Sequence, residues 1–219
     1  MTRTKPAEQR RAELLAAGQA LFLAKGIAGT SLDDITQRAG VSKGLFYLYF
    51  ASKEDLVLAL REQFSRDLAE RMRAAAEAVP ASTLPASGGT GWADRLDACV
   101  RAGLERYRDL HDLHEVLFHH AHASSPASGS VTPGTVTPDS GNSGSPDPAP
   151  APAARVIREL LEAGVAAGAF DLPDPESTAV LCYASMHAFD HDFRGRPGPD
   201  DARLIRAAQQ LFRRAAGLP

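Results

Sequence analysis

The chain has 219 residues and two cysteines, with 44% hydrophobic residues and 24 Lys and Arg against 27 Asp and Glu. That length holds one large domain or two small ones, the two distant thiols of Cys99 and Cys182 argue against a disulfide framework or a four-cysteine zinc site, and no apolar run approaches the ~20 residues of a membrane span. The net charge of −3 is uneven: residues 1–53 carry eight basic and four acidic side chains, a net of +4, and the remainder carries sixteen against twenty-three, a net of −7. A basic end suits phosphate binding, and an acidic remainder repels nucleic acid so that one face docks. Met1-Thr-Arg-Thr-Lys-Pro6 lacks the apolar segment of a signal peptide. The expected location is the cytoplasm, and the thiols read as buried and structural, since nothing basic adjoins either of them in sequence.

The first predicted element is a helix over 7–25, with Leu14, Leu15, Ala17, Leu21 and Phe22 at helical spacing and Lys25-Gly26 as its stop. Ser31 caps a second helix over 32–39, whose apolar positions are Leu32, Ile35 and Ala39. Gly40 ends it by supplying the positive φ that a helix end favours. Val41 packs inward, Ser42 caps again, and a short helix runs over 43–49. Two helices joined by so tight a glycine turn form the unit whose second helix enters the DNA major groove. A long helix over 53–79 opens with Ser52 as cap and with Glu54 and Asp55 in its first turn. Leu56, Leu60, Phe64, Leu68 and Met72 mark its buried side.

Residues 80–91 break the pattern. Helices are predicted over 92–108, with Trp92, Leu96, Val100 and Leu104 inward, and over 110–123. In the stretch 124–153, 21 of 30 residues are Pro, Gly, Ser or Thr. Such a segment cannot bury enough apolar surface to offset its ordering entropy, so a disordered insert is expected there. Helices resume over 154–168, 174–193 and 200–216. The stretch Ala179–Ala184 is apolar almost all round, which implies burial on two sides.

The run Gly44-Leu45-Phe46-Tyr47-Leu48-Tyr49-Phe50, followed by Ser52-Lys53-Glu54-Asp55-Leu56, resembles the N-terminal domain of the TetR family of transcriptional regulators. The resemblance covers residues 8–56. It implies an all-α protein with a three-helix helix-turn-helix DNA-binding domain at 1–52. A helical ligand-binding and dimerisation domain follows at 53–219, with its last two long helices forming a four-helix bundle with a second subunit. It further implies a homodimer that reads a palindromic double-stranded operator as a repressor and is released by a small-molecule effector. Carried over residue by residue, Lys43, Gly44 and Leu45 face base edges, while Thr30, Ser42, Tyr47, Tyr49 and Lys53 contact phosphate. Phe46 and Phe50 read as core. Arg3, Lys5, Arg10 and Arg11 are either a groove-reaching arm or a solvated tail.

All seven histidines lie beyond the helix-turn-helix, five of them within 111–122. On a helical wheel His111, Glu115, Phe118 and His122 share one edge of the helix, His114 flanks its apolar face, and His187 and His191 stand one turn apart on a later helix. His111, Glu115, Phe118, His122, His187 and His191, with Met186 and Phe189, are the candidate lining of an organic effector pocket. Two further readings remain open at this point: a zinc-like or haem-like site, since His at i and i+4 can share one ion, and histidines that titrate near neutral pH and tune the dimer. No phosphate-binding glycine loop or nucleophile elbow is present in the sequence, so an enzyme such as a metal-dependent hydrolase carrying a DNA module is the weaker alternative. No cofactor is called for.

Overall fold

The computed structural model describes residues 6–80, 90–119, 151–187 and 201–218. All but the last three residues of the expected insert lie outside these, as do Arg3, Lys5, His122, Phe189 and His191. The described residues form helices and contain no strand. In chain order they are α1 (Ala7–Lys25), α2 (Leu32–Ala39), α3 (Lys43–Tyr47), α4 (Lys53–Glu77), α5 (Thr90–Asp109), α6 (His111–His114) with a π-helical turn over Glu115–His119, α7 (Pro152–Ala166), α8 (Pro175–His187) and α9 (Asp201–Ala215). None is long and apolar enough to cross a membrane.

The first three helices wrap a small core of Leu14, Phe22, Ile35, Phe46 and Phe50. Helix α4 extends this core into the rest of the chain. Its 25 residues span roughly 37 Å at 1.5 Å per residue. Leu56 and Leu60 are buried near its start, and Phe64, Leu68 and Met72 further on. Helices α5 and α7 pack along α4, and α9 packs on α5. The α5–α9 contact is fixed by polar groups as well as burial: Arg213 donates two hydrogen bonds to the Asp97 carboxylate at 3.0 and 2.7 Å, and Gln209 Nε2 donates to the Asp97 carbonyl at 3.0 Å. Planar two-point pairing of this kind orients as well as attracts.

Several elements differ from the sequence expectation at their ends. Helix α3 stops at Tyr47 rather than 49, because its last turn tightens: the Leu45 carbonyl accepts from Leu48 N–H at 3.2 Å and the Phe46 carbonyl from Tyr49 N–H at 2.9 Å. Helix α7 begins at Pro152, two residues earlier than expected, with proline in its first turn where the missing N–H costs nothing. Within α8, Ala179, Cys182 and Met186 are buried, while Val180 and Leu181 are 51% and 70% exposed in the single chain.

Candidate nucleic-acid interface

The turn between α1 and α2 is held by side chains from three places. Thr30 is buried, and its hydroxyl donates to the Gly26 carbonyl at 2.7 Å. Lys53, from the start of α4, donates from Nζ to the carbonyls of Ile27 and Thr30 at 2.9 and 3.0 Å. Ser31 caps α2 by accepting from Asp34 N–H at 3.1 Å, and the Asp34 carboxylate accepts in return from Ser31 N–H at 2.8 Å. This reciprocal box satisfies two backbone donors that the helix start leaves over. The Lys25 ammonium, 2.7 Å from Asp34, together with the Ser31 donors, holds that carboxyl well below the usual carboxylate range. The entry angle of α2 is thereby fixed by contacts to both α1 and α4.

Gly40 follows α2 in the left-handed region, at φ 66° and ψ 38°. Only glycine takes that conformation without strain, and the chain reverses there into α3. Ser42 Oγ accepts from Leu45 N–H at 3.2 Å and caps the new helix. Five residues are far too few for a helix that stands alone in water. The anchor is aromatic: Phe46 is fully buried and Phe50 nearly so, with ring centroids 5.6 Å apart. The Arg11 guanidinium lies 5.2 Å above the Phe50 ring, the distance of a cation–π contact.

Burying Phe46 fixes what faces outward. Ser42, Lys43 and Gly44 are exposed, Leu45 and Tyr49 are half-buried, and Tyr47 is 57% exposed. Lys43 Nζ meets Asp33 Oδ1 at 2.6 Å, and that carboxylate raises the lysine pKa. Gly44 has no internal reason to be glycine: a Cβ built there meets only Ser42 Oγ, at 3.9 Å. A helical glycine costs about 0.5–1 kcal/mol relative to alanine, so a bare backbone on an exposed face is best explained by close approach of something outside the chain. Ser42, Lys43, Gly44 and Tyr47 are thus exposed on α3 and its cap, with Leu45 half-buried among them. Thr30 and Lys53 differ: the first is inside, and the second has its ammonium on two carbonyls. Sequence reasoning passed over Leu48, which is 76% exposed beside this surface; its signal was an aliphatic residue inside an aromatic run.

The second candidate site lies in the C-terminal half. His114, only 3% exposed, stacks on Phe118 with centroids 4.8 Å apart and lies 4.9 Å from the Tyr107 ring. The Tyr107 hydroxyl is 3.0 Å from His187 Nδ1, and Tyr183 meets the same imidazole edge-on at 4.8 Å. Phe64 of α4 packs against Tyr107, His114 and Phe118. Of the candidate lining, Phe118 and His187 are brought together, with His114 between them. Met186 is fully buried one residue away, its Cε close enough to Gly103 to leave no room for a Cβ. His111 and Glu115 are half-buried on the preceding turns. Tyr107 and Tyr183, which complete the cluster, were not singled out from sequence. Among the described residues no group of three or more His, Cys, Asp or Glu is placed to hold a metal ion. Burial pushes the Cys99 thiol up to about 12 and the Cys182 thiol up to about 11.

Residues 14–60 match the family model described as bacterial regulatory proteins of the tetR family. The chain is 37% identical over 70 residues to the HTH-type transcriptional activator FasR of Mycolicibacterium smegmatis, covering 32% of each. It is 40% identical over 82 residues to the HTH-type transcriptional regulator BetI of Paraburkholderia xenovorans, covering 36% of this chain and 42% of that one. The alignments therefore span about a third to two fifths of these relatives' length. Over the whole fold, the chain superimposes on the fatty acid degradation regulator FadR from Bacillus halodurans with a TM-score of 0.62 at 16% identity, covering 96% of both chains. A tetR-family regulator structure from Mesorhizobium loti gives 0.63 at 16% identity, covering 96% and 98%.

Proposed function

We propose, for a chain that belongs to the TetR family of helix-turn-helix transcriptional regulators, that it is a homodimeric repressor which reads an inverted-repeat operator and is released by a small organic effector. The observation that carries the DNA-reading part is the outward surface of α3. Its polar and glycine residues are exposed while Phe46 is fully buried, and its glycine has no packing role within the chain. Lys43, Gly44 and Leu45 are assigned to base edges, and Ser42, Tyr47 and Tyr49 to phosphate. Lys53 is assigned to the same backbone run by exchanging one of its carbonyl acceptors for a phosphate oxygen, whereas Thr30, buried with its hydroxyl on the Gly26 carbonyl, holds the turn and does not touch phosphate.

Residues 1–52 are taken as the reader and 53–219 as the sensing and dimerising part. The exposed Val180 and Leu181 of α8 and Leu211 of α9, at 51%, 70% and 49%, support a subunit interface on those two helices. Large aliphatic side chains left in water on adjacent helices mark an association surface. Two α3 helices related by a two-fold axis require two half-sites about one helical turn of DNA apart. The effector is assigned to the aromatic and histidine cluster of Tyr107, His114, Phe118, Tyr183 and His187, with His111, Glu115 and Met186 beside it. Planar rings bearing hydroxyl and imidazole groups suit a largely apolar organic molecule with one or two polar atoms. Release follows if that molecule binds one of two dimer shapes better than the other.

The test is selection of bound duplexes from a random library with the purified chain, followed by a reporter placed behind the recovered site. An inverted repeat and reduced reporter output are the expected results. Recovery of no consensus, with binding that vanishes at moderate salt, overturns the sequence-reading claim. Raised reporter output overturns repression alone.

A further inference from the structure

A further cavity lies beside both sites above, sharing Lys53 with the first and reaching Phe118 of the second through Arg61. It is a groove of about 960 Å³ at the junction of the helix-turn-helix with the rest of the chain. Phe22 and Leu23 of α1, Ile27 of the following turn, Val57 and Leu58 of α4 and Val116 of the π-helical turn line it. Leu23 and Leu58 are 43% and 54% exposed there. The volume lies at the upper end of the range for small-molecule pockets, and the lining is mostly apolar as such pockets are.

The charges around this groove are unbalanced. Lys25, Lys53, Arg61 and Glu54 also line it. Lys25 is paired with Asp34. Lys53 is held by two neutral carbonyls. Arg61, half-buried, donates from Nε to the Leu117 carbonyl at 2.7 Å and stacks 5.3 Å above the Phe118 ring, while its two terminal amino groups meet no acceptor among the described residues. A guanidinium fixed at one nitrogen and stacked on a ring presents its remaining N–H groups in a set direction, which suits a carboxylate or sulfonate. Glu54 is exposed and offsets only one of these charges.

We infer that this groove is a binding site for an amphipathic organic anion, whose apolar body covers Leu23 and Leu58 and whose charged end meets Arg61. The lining comes from α1 and its following turn on one side and from α4 and the π turn on the other. An occupant therefore touches both the reader and the sensing part. The binding is measured without DNA.

The probe is 8-anilinonaphthalene-1-sulfonate, compared with N-phenyl-1-naphthylamine, which has the same rings without the sulfonate. Both are titrated by fluorescence into the full chain and into Arg61→Gln, Arg61→Lys and Leu58→Glu, with circular dichroism to confirm folding. Leu58 is exposed, so its variant keeps the core intact. The expected result is saturable binding of the sulfonate at one per chain. Arg61→Gln weakens it by about tenfold or more, Arg61→Lys less, and neither alters the neutral probe; Leu58→Glu weakens both. Unchanged sulfonate affinity in Arg61→Gln and Leu58→Glu places the probe elsewhere and overturns the inference. Equal losses for both probes in Arg61→Gln also overturn it, because charge then plays no part. A change of sedimentation coefficient in Leu58→Glu with unaltered probe binding assigns the groove to a second copy of the chain and overturns it too.

Discussion

Replacing Gly44 with alanine separates folding from DNA reading within one residue. The site is exposed, helical and open, since the new methyl meets only Ser42 Oγ at 3.9 Å. Alanine also removes backbone freedom from the unfolded chain, a gain of about 0.5–1 kcal/mol in a helix interior. Gly44 is the second residue of a capped five-residue helix, so the lower end applies, about 0.5 kcal/mol. For a chain of this size that raises Tm by roughly 1–2 °C. On DNA the sign reverses. A methyl standing where backbone approaches a base edge displaces the helix and costs about one base contact, 1–3 kcal/mol. The expected outcome is a variant that melts slightly higher and binds its selected operator roughly 5- to 150-fold more weakly at fixed salt. Thermal denaturation and fluorescence anisotropy read the two quantities. A variant that melts lower shows that the fold needs the glycine, and one that binds the operator equally well shows that nothing approaches it; either result refutes the reasoning.

Four further outcomes are expected. Asp33→Asn frees Lys43 from its 2.6 Å partner and removes a negative charge beside the reading surface, so operator affinity rises by a factor of a few, and an unchanged affinity removes Lys43 from the interface. Native Cys99 and Cys182 react slowly with Ellman's reagent at pH 8, because burial leaves both thiols protonated at pKa values of about 12 and 11; both react at once after unfolding, and rapid native labelling contradicts their burial. Gly164→Ala drives a methyl into the Phe170 ring; overpacking of this kind costs about 1–3 kcal/mol, seen as a Tm lower by roughly 2–12 °C. Leu181→Glu, 70% exposed in the single chain, leaves the helical signal intact and yields a monomer in sedimentation, with operator binding reduced; a dimer that persists assigns the interface elsewhere.

The local grammar of the first 60 residues was readable because each boundary is written in one side chain. Ser31, Ser42 and Ser52 cap α2, α3 and α4 as their spacing suggested, and Gly40 takes the left-handed turn. What the sequence hid was contact over distance. The family resemblance gives Lys53 a phosphate role, and in the fold its ammonium also reaches back 26 residues to the Ile27 carbonyl. No periodicity encodes that pairing. Thr30 likewise has a polar side chain whose acceptor, the Gly26 carbonyl, exists only once α1 has ended.

In the C-terminal half the helical wheel puts Leu110, Leu113, Leu117 and Ala121 on the apolar face; Leu113 and Leu117 are buried, Leu110 is half-buried, and Ala121 lies outside the described residues. Its flanks were less informative, because a π-helical turn over Glu115–His119 widens the spacing that a 100° wheel assumes. The sequence groups His111, Glu115, Phe118 and His122 on one edge; in the fold Phe118 also stacks on His114, with Tyr107 and Tyr183 supplied by other helices. Which rings from α5, α6 and α8 meet is a property of packing angles, and no single segment contains it.

The brevity of α3 has a consequence for how such a reader changes its target. Its shape is secured from behind by Phe46, Phe50 and a single serine cap, and the residues that face outward take little part in holding it. If Lys43, Gly44 and Leu45 read bases as proposed, they can be exchanged almost as letters in a socket. One or two substitutions there would then change the target at little cost in stability. An engineer can randomise those three positions with most of the library still folded. The same arrangement means that a peptide cut out around α2 and α3 is inert, because the socket is left behind with α1 and α4.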